Sequence, residues 1–280
     1  MKILKKAIHK TLAAMGYELN RLSTPLTQVS FDNFRSLVQA YEQRLNESTN
    51  LVSANEIRPQ LLARLLGTPP AEAYFIVQAL AKCKDIRGDV CEFGVAQGET
   101  SALIANEIAQ SSNKILHLFD SFEGLPKPSG KDVLKDDIFS LGSMGAYAGT
   151  MSCREEMVRV RLKAISYPSN RYIIHKGFIE ELLHTDQNLP KEVCFAYVDF
   201  DFYEPIRLTL DFLHRITPSG AIIIVDDYDF FSTGSKTAVD EFIEENGSSD
   251  ISYECFVPNT RYGYFAVLTK NDKYPKNSLY

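Results

Sequence analysis

Acidic residues close three apolar runs in this sequence. Residues 115–119 end at Asp120, residues 193–198 at Asp199-Phe-Asp201, and residues 221–225 at Asp226-Asp227. If the last two runs are neighbouring strands of one sheet, Asp199, Asp226 and Asp227 converge in one cleft. Three carboxylates so placed repel and raise one another's pKa unless a cation joins them. Oxygen ligands without His or Cys favour a hard ion, Mg²⁺ before Ca²⁺. Such an ion holds two substrate oxygens and lowers the pKa of a hydroxyl, while a neighbouring carboxylate accepts the proton. Asp201 is expected to stay outside the ligand set. The competing reading is that Asp201 and Asp227 cap the elements that follow them.

A second signal is residues 88–100, GDVCEFGVAQGET. An apolar run ends at Glu92-Phe93-Gly94, turns through Val95-Ala-Gln, and reopens at Gly98-Glu-Thr100-Ser101 into a helical pattern. Glycines let the backbone approach a ligand, and a new helix offers free N–H groups. The spacing is Glu-x-Gly-x-x-x-Gly, the pattern of S-adenosylmethionine-dependent methyltransferases rather than the GxGxxG of dinucleotide enzymes. Glu92, Phe93, Gly94, Val95, Gly98, Thr100 and Ser101 are therefore the expected cofactor turn. Asp120 lies about twenty residues further on, where an acid accepts ribose hydroxyls. Its alternative role is to cap the loop after it. Lys176-Gly177, after the run 172–175, would line the adenine side. His117 and His175 fall in strand patterns, His184 and His214 in helical ones, and none has a sequence neighbour that would make it a base.

These residues need a doubly wound α/β sheet to bring them together, because ligands bind at the carboxyl ends of its strands. From residue 86 the chain alternates strand and helix patterns, with a helix expected over 206–215. A last hairpin-like pair is expected at 253–257 and 262–268. Seven strands, five parallel and a final pair that can place one antiparallel, give the Rossmann-like methyltransferase version of this sheet. The domain is expected to span 86–270, with a ten-residue tail after it. The connection at 126–151 is too long for a plain loop and reads as a lid. A disordered insertion is the competing reading, though Phe139, Leu141, Met144 and Tyr147 favour packing. Residues 1–85 are helical in pattern and read as a cap or dimerisation region. Phe31, Phe34, Leu37, Val38 and Tyr41 mark one face, and Pro70 starts a helix into the sheet.

Composition narrows the function classes. With 45% hydrophobic and 24% charged residues, the 280-residue chain can bury a large core, and a net charge of -6 argues against nucleic-acid binding. Five scattered cysteines suggest neither a disulfide framework nor a zinc site and suit a reducing cytosol. No run approaches the ~18–20 apolar residues of a membrane span. Lys2, Lys5, Lys6 and Lys10 around Ile3, Leu4, Ile8 and Leu12 lack the features of a signal peptide. They read as an amphipathic helix docked on the protein, or else as a weak peripheral contact with an anionic membrane.

DSFEGLP at 120–126, VDFDFYEP at 198–205 and VDDY at 225–228, supported by GDVCEFGV and by AVDEF at 238–242, resemble the macrocin O-methyltransferase family. The resemblance runs from about residue 86 to 268. It implies methylation of sugar hydroxyls of natural products with S-adenosylmethionine and Mg²⁺. It also implies cofactor contacts at Glu92, Gly94, Asp120 and Ser121, and metal ligands at Asp199, Asp226 and Asp227, with Asp199 as general base too. Two departures stand out. Ala96-Gln97 replaces a Trp-Arg pair frequent in the family, and Phe200 replaces a frequent glycine. The reading is a cytosolic O-methyltransferase of a small hydroxylated acceptor, a sugar or glycoside, and a homo-oligomer. Tyr203, Tyr228, Phe139 and Tyr147 are the expected acceptor-facing residues. A catechol-type O-methyltransferase and a non-catalytic scaffold of the same fold are the alternatives. Amine methylation is disfavoured because the fourth strand does not end in Asn/Asp-Pro-Pro-Tyr.

Overall fold

The computed structural model describes residues 55–109, 114–246 and 251–272, all within the compact unit that begins at Ser48. The expectations for the basic N-terminus and the amphipathic face at 31–41 lie outside these residues. The chain enters through two helices, α1 (Arg58–Leu62) and α2 (Pro70–Lys82), the latter with proline in its first turn as expected. Strand β1 (Asp89–Phe93) pairs in parallel with β2 (Leu116–Asp120) and with β4 (Val193–Val198). Outside them lie β3 (Tyr172–Lys176) and β5 (Ile222–Val225), also parallel. The order is completed by β7 (Ala266–Asp272), antiparallel to β5, and by β6 (Ile251–Phe256) at the edge, giving β3-β2-β1-β4-β5-β7-β6. This is the seven-stranded methyltransferase sheet that the run pattern predicts.

Side-chain alternation sends successive residues to opposite faces, and both faces are covered. Val90, Leu116, Leu118, Ile222 and Ile224 meet α2, α3 (Glu99–Ile108) and α4 (Glu155–Ala164). Phe93, Phe119, Val198, Ile223 and Val225 meet α5 (Ile179–Thr185), α6 (Tyr203–Ile216) and α7 (Gly234–Asn246). On α6 the buried residues Ile206, Leu210 and Leu213 recur at helical spacing. The core histidines also sit where expected. His117 Nδ1 lies 2.9 Å from His175 Nε2, and His175 Nδ1 lies 2.5 Å from Asp186.

Register does the functional positioning. Phe119, Phe93, Val198 and Val225 lie side by side across four strands. The next residue of each chain segment is Asp120, Gly94, Asp199 and Asp226, so these four emerge together at the carboxyl edge. Several expected boundaries shift, as with the helix expected at 206–215, which spans Tyr203–Ile216, and the strand expected at 253–257, which spans Ile251–Phe256. The last strand starts at Ala266, not Tyr262, because Thr260–Tyr262 forms a single 3₁₀ turn and Gly263 has φ +131°. Among the described residues no helix is long and apolar enough to cross a membrane.

The long connection after β2 is an ordered loop with a closed neck. Leu125 N donates to Thr150 O at 2.9 Å, and Gly149 N donates to Leu125 O at 2.8 Å. Its middle lies on the segment before α7, where Lys135 N donates to Phe231 O at 2.8 Å and Leu134 pairs with Ser232. Tyr147 is fully buried and stacks on Phe231 at 5.4 Å. Of the four residues expected to pack, Tyr147 and Met144 join this cluster, whereas Phe139 and Leu141 are exposed. At the neck Gly124 has φ +92°, and a Cβ there would overlap Thr150 O. Gly124→Ala should therefore cost about 1–3 kcal/mol in urea unfolding. Limited proteolysis within 126–149 should accelerate, and unchanged cleavage would contradict the role of the neck.

Candidate active site

The glycine turn is shaped by an acid from the next strand. Asp120 Oδ2 accepts Val95 N at 2.7 Å and Ala96 N at 2.8 Å, while Oδ1 accepts Phe122 N at 2.6 Å. One carboxylate thereby holds Ala96 at φ +45° and starts the following loop. It performs the capping role, and Oδ1 keeps a lone pair for a hydroxyl. Gly98 caps α3 in the left-handed conformation, with φ 82° and ψ 21°. Glycine is needed there for a second reason: a Cβ would lie 3.1 Å from Val158 Cα on α4.

A cavity of about 360 Å³ opens beside this turn, within the size range of small-ligand sites. Gly94, Asp120, Ser121, Gly177 and Asp199 line it. The other expected cofactor residues are placed differently. Glu92 shares its strand face with Val90, under α2 and α3, and is only 1% exposed, with no hydrogen-bond partner for either oxygen. Burial pushes its carboxyl up to about 8, and the nearby Asp120 and Glu99 charges add to the shift. Phe93 and Val95 are core residues, and Gly98, Thr100 and Ser101 form the helix start behind the turn. Thr100 shares a 2.8 Å hydrogen bond with Thr68. Lys176 is largely exposed, 3.9 Å from Glu155, as expected of a solvated charge.

Asp199, Asp201, Asp226 and Asp227 line the same cavity. One oxygen from each of Asp199, Asp201 and Asp227 lies within 4.8 Å of the others. This grouping differs from that read in the sequence, for two local reasons. Asp201 adopts φ +62°, which turns it back towards the cleft. Asp226 Oδ2 accepts the buried Tyr197 hydroxyl at 2.8 Å, and its Oδ1 accepts Asp227 N at 2.7 Å. Burial, followed by repulsion from Asp226, pushes the Asp199 and Asp227 carboxyls well above the usual range. Burial lifts Asp201 to about 6. Close to them Glu72 is completely buried, and burial with the charges of Asp226 and Asp199 raises it too. So much anionic oxygen in so little water is a donor set suited to a hard cation.

Apolar residues complete the wall. Leu66, Ile138, Phe139, Met151, Phe178 and Phe230 line it, and Phe139 alone of the four expected acceptor-facing residues does so. Tyr147 OH donates to Asp137, Tyr203 OH to Glu241 and Tyr228 OH to Asp240, each away from the cavity. Phe200 also lines it, held edge-on to Phe93 at 6.0 Å.

The model of the macrocin O-methyltransferase (TylF) family matches residues 3–252. The chain belongs to this family. As a macrocin O-methyltransferase family member it is an S-adenosylmethionine-dependent O-methyltransferase. Among solved structures it is similar to the O-methyltransferase NovP, with 20% identity over 72% of this chain and 80% of that one and a TM-score of 0.59. CalS11, a calicheamicin methyltransferase, gives 18% identity over 89% and 94%, with a TM-score of 0.55. An O-methyltransferase from Bacillus cereus in complex with SAH gives 11% identity over 84% and 99%, with a TM-score of 0.52. At these identities the neighbours bear on the fold alone, and the fold agrees. No curated protein gives a significant match.

Two measurements check this family member's turn. Because Glu92 has a folded pKa near 8, above its unfolded value, ionisation destabilises the fold progressively from about pH 4.5 to pH 8. Glu92→Gln should match the wild-type thermal midpoint at pH 5 and exceed it at pH 9; equal midpoints at both pH values would contradict the buried neutral acid. Asp120→Asn places an amide donor against backbone donors or frees them. It should lower the ligand-free midpoint and speed amide exchange at Val95 and Ala96. It should also weaken S-adenosylhomocysteine binding by tenfold or more, on the order of 1.4 kcal/mol.

Proposed function

We propose that this O-methyltransferase acts on a hydroxyl of a sugar or glycosylated natural product, with Mg²⁺ at the acid cluster. One observation carries the reading: a single cavity joins the glycine turn and Asp120 to Asp199, Asp201, Asp226 and Asp227. A methyl donor on the first group therefore meets an acceptor on the second. The solved neighbours of the fold include a calicheamicin methyltransferase, which supports a glycosidic acceptor by analogy.

S-adenosylmethionine, held by the Gly94 turn, Asp120 and Ser121, supplies an electrophilic methyl group. Asp199 and Asp227 would hold Mg²⁺, which would supply Lewis acidity to lower the pKa of an acceptor hydroxyl. The third carboxylate is Asp201 in the present arrangement and Asp226 in the family resemblance. Asp199 accepts the hydroxyl proton on its carboxylate, as the side chain at the end of β4 closest to the turn, where Asp199 N donates to Phe93 O at 2.7 Å. Leu66, Phe139, Met151 and Phe230 exclude water and bind the acceptor's apolar parts.

The test is transfer of a labelled methyl group to a panel of sugar nucleotides, glycosides and catechols, with Mg²⁺ or with EDTA. Methylation of sugar hydroxyls that EDTA abolishes is expected; transfer confined to catechols would overturn the acceptor class. Asp199→Asn should lose roughly 10²–10⁴-fold in kcat while S-adenosylhomocysteine affinity stays within about threefold. Mn²⁺ affinity measured by electron paramagnetic resonance separates the two candidate third ligands, since only the variant that removes a ligand, Asp201→Asn or Asp226→Asn, should weaken binding strongly.

A further inference from the structure

The lid contains one buried carboxylate that the reaction does not touch. Asp132 is 5% exposed and does not line the cavity. Its Oδ2 accepts Ser129 N at 2.7 Å and Ser129 Oγ at 2.8 Å, while Oδ1 accepts Tyr203 N at 2.8 Å. Tyr203 is the first residue of α6, and Phe202 before it makes no side-chain capping bond. A helix start leaves N–H groups without partners and favours negative charge beside them. The lid supplies the cap that the helix's own sequence lacks.

The same oxygen also packs closely against the start of α7. A Cβ built on Gly234 would overlap Asp132 Oδ1 and come within 2.8 Å of Tyr203 N. Gly234 does not have the positive φ that would itself demand glycine, so the close approach is what requires it. Helix α6 follows Asp199 and Asp201 in the chain, and α7 follows Asp226 and Asp227. One lid carboxylate thus stands between the two loops that carry the acids. Neighbouring residues reinforce the link: Val133 N donates to Thr233 Oγ1 at 2.9 Å, and Lys135 Nζ donates to Asp229 O at 3.0 Å and to its carboxylate.

We infer that Asp132 is a positioning residue that sets the separation of the loop after β4 from the loop after β5, so that Asp199 and Asp201 face Asp227. The contacts that tie Asp132 to Tyr203 N and Gly234, with those of Val133 and Lys135 beside it, hold the two loops at one spacing. The role rests on the proposed acid-cluster reading only for its catalytic consequence, because the bridge itself can be measured without metal or acceptor.

Hydrogen exchange read by mass spectrometry over 199–205 and 226–236 tests the bridge, alongside S-adenosylhomocysteine and Mn²⁺ affinities. In Asp132→Ala, exchange should rise at least tenfold in both segments and Mn²⁺ affinity should fall at least tenfold. S-adenosylhomocysteine affinity should stay within threefold. Asp132→Asn keeps an oxygen for Tyr203 N, so it should recover protection at 203–205 and most of the Mn²⁺ affinity. Gly234→Ala should reproduce Asp132→Ala, and the double variant should be no worse than the worse single one, as expected of residues acting through one contact. Faster exchange confined to the lid, with both acid loops unchanged, would overturn the inference. So would a uniform rise that includes β1 and α3, which would mark a general stability effect. If wild type binds no Mn²⁺, the metal reading fails and the exchange pattern alone decides the role of Asp132.

Discussion

Anionic oxygen held out of water is the constraint on which the carboxyl edge of this sheet depends. Asp199, Asp201, Asp226, Asp227 and Glu72 crowd a space in which their carboxyls are all displaced upwards. Each loop accepts backbone strain to keep that arrangement. Asp201, Asp227 and Asp229 have φ values of 62°, 56° and 65°. Aspartate tolerates this region better than most side chains, but it remains a less favourable conformation that surrounding contacts must enforce. The Tyr197 hydroxyl, the Asp227 amide and the tight lid supply those contacts.

The two halves of the site are held by different means. The donor half is fixed by the sheet itself, because register places Gly94, Asp120 and Asp199 in one row and Asp120 then shapes the turn beside it. The acceptor half depends on loops pinned to helix starts and on a lid whose apolar residues form the wall. Strand register tolerates little change without moving the core, whereas the lid changes sequence without disturbing the ladder.

Much of this organisation was legible in the sequence. Apolar runs, three of them closed by acids, marked the parallel strands, and both faces of the sheet being covered explains why those runs read as continuous. The turn, Asp120 and the acid-bearing loops were all found by position relative to strand ends. Orientation within the site was harder to read. Glu92 looked like a turn residue, but strand alternation places it with Val90 on the inner face. Asp201 joins Asp199 and Asp227 in the close oxygen grouping, while Asp226 is engaged by the Tyr197 hydroxyl and the Asp227 amide, contacts that the spacing of the acids does not record. The tyrosines expected to face the acceptor are instead held by carboxylates, Asp137 and Asp240 near Tyr147 and Tyr228 in the chain and Glu241 far from Tyr203. The lid's contribution to the wall likewise depends on tertiary packing that no local pattern records.

The closed neck of the lid has an evolutionary meaning. Leu125 with Gly149 and Thr150 ties the two ends of the loop together by backbone bonds, independent of the side chains between them. A segment whose ends already meet can be exchanged as a cassette, with little change in the entropy of closing it. Residues 126–148 are therefore a natural unit of transplantation between relatives, provided the graft keeps an Asp132 to meet Tyr203 and Gly234.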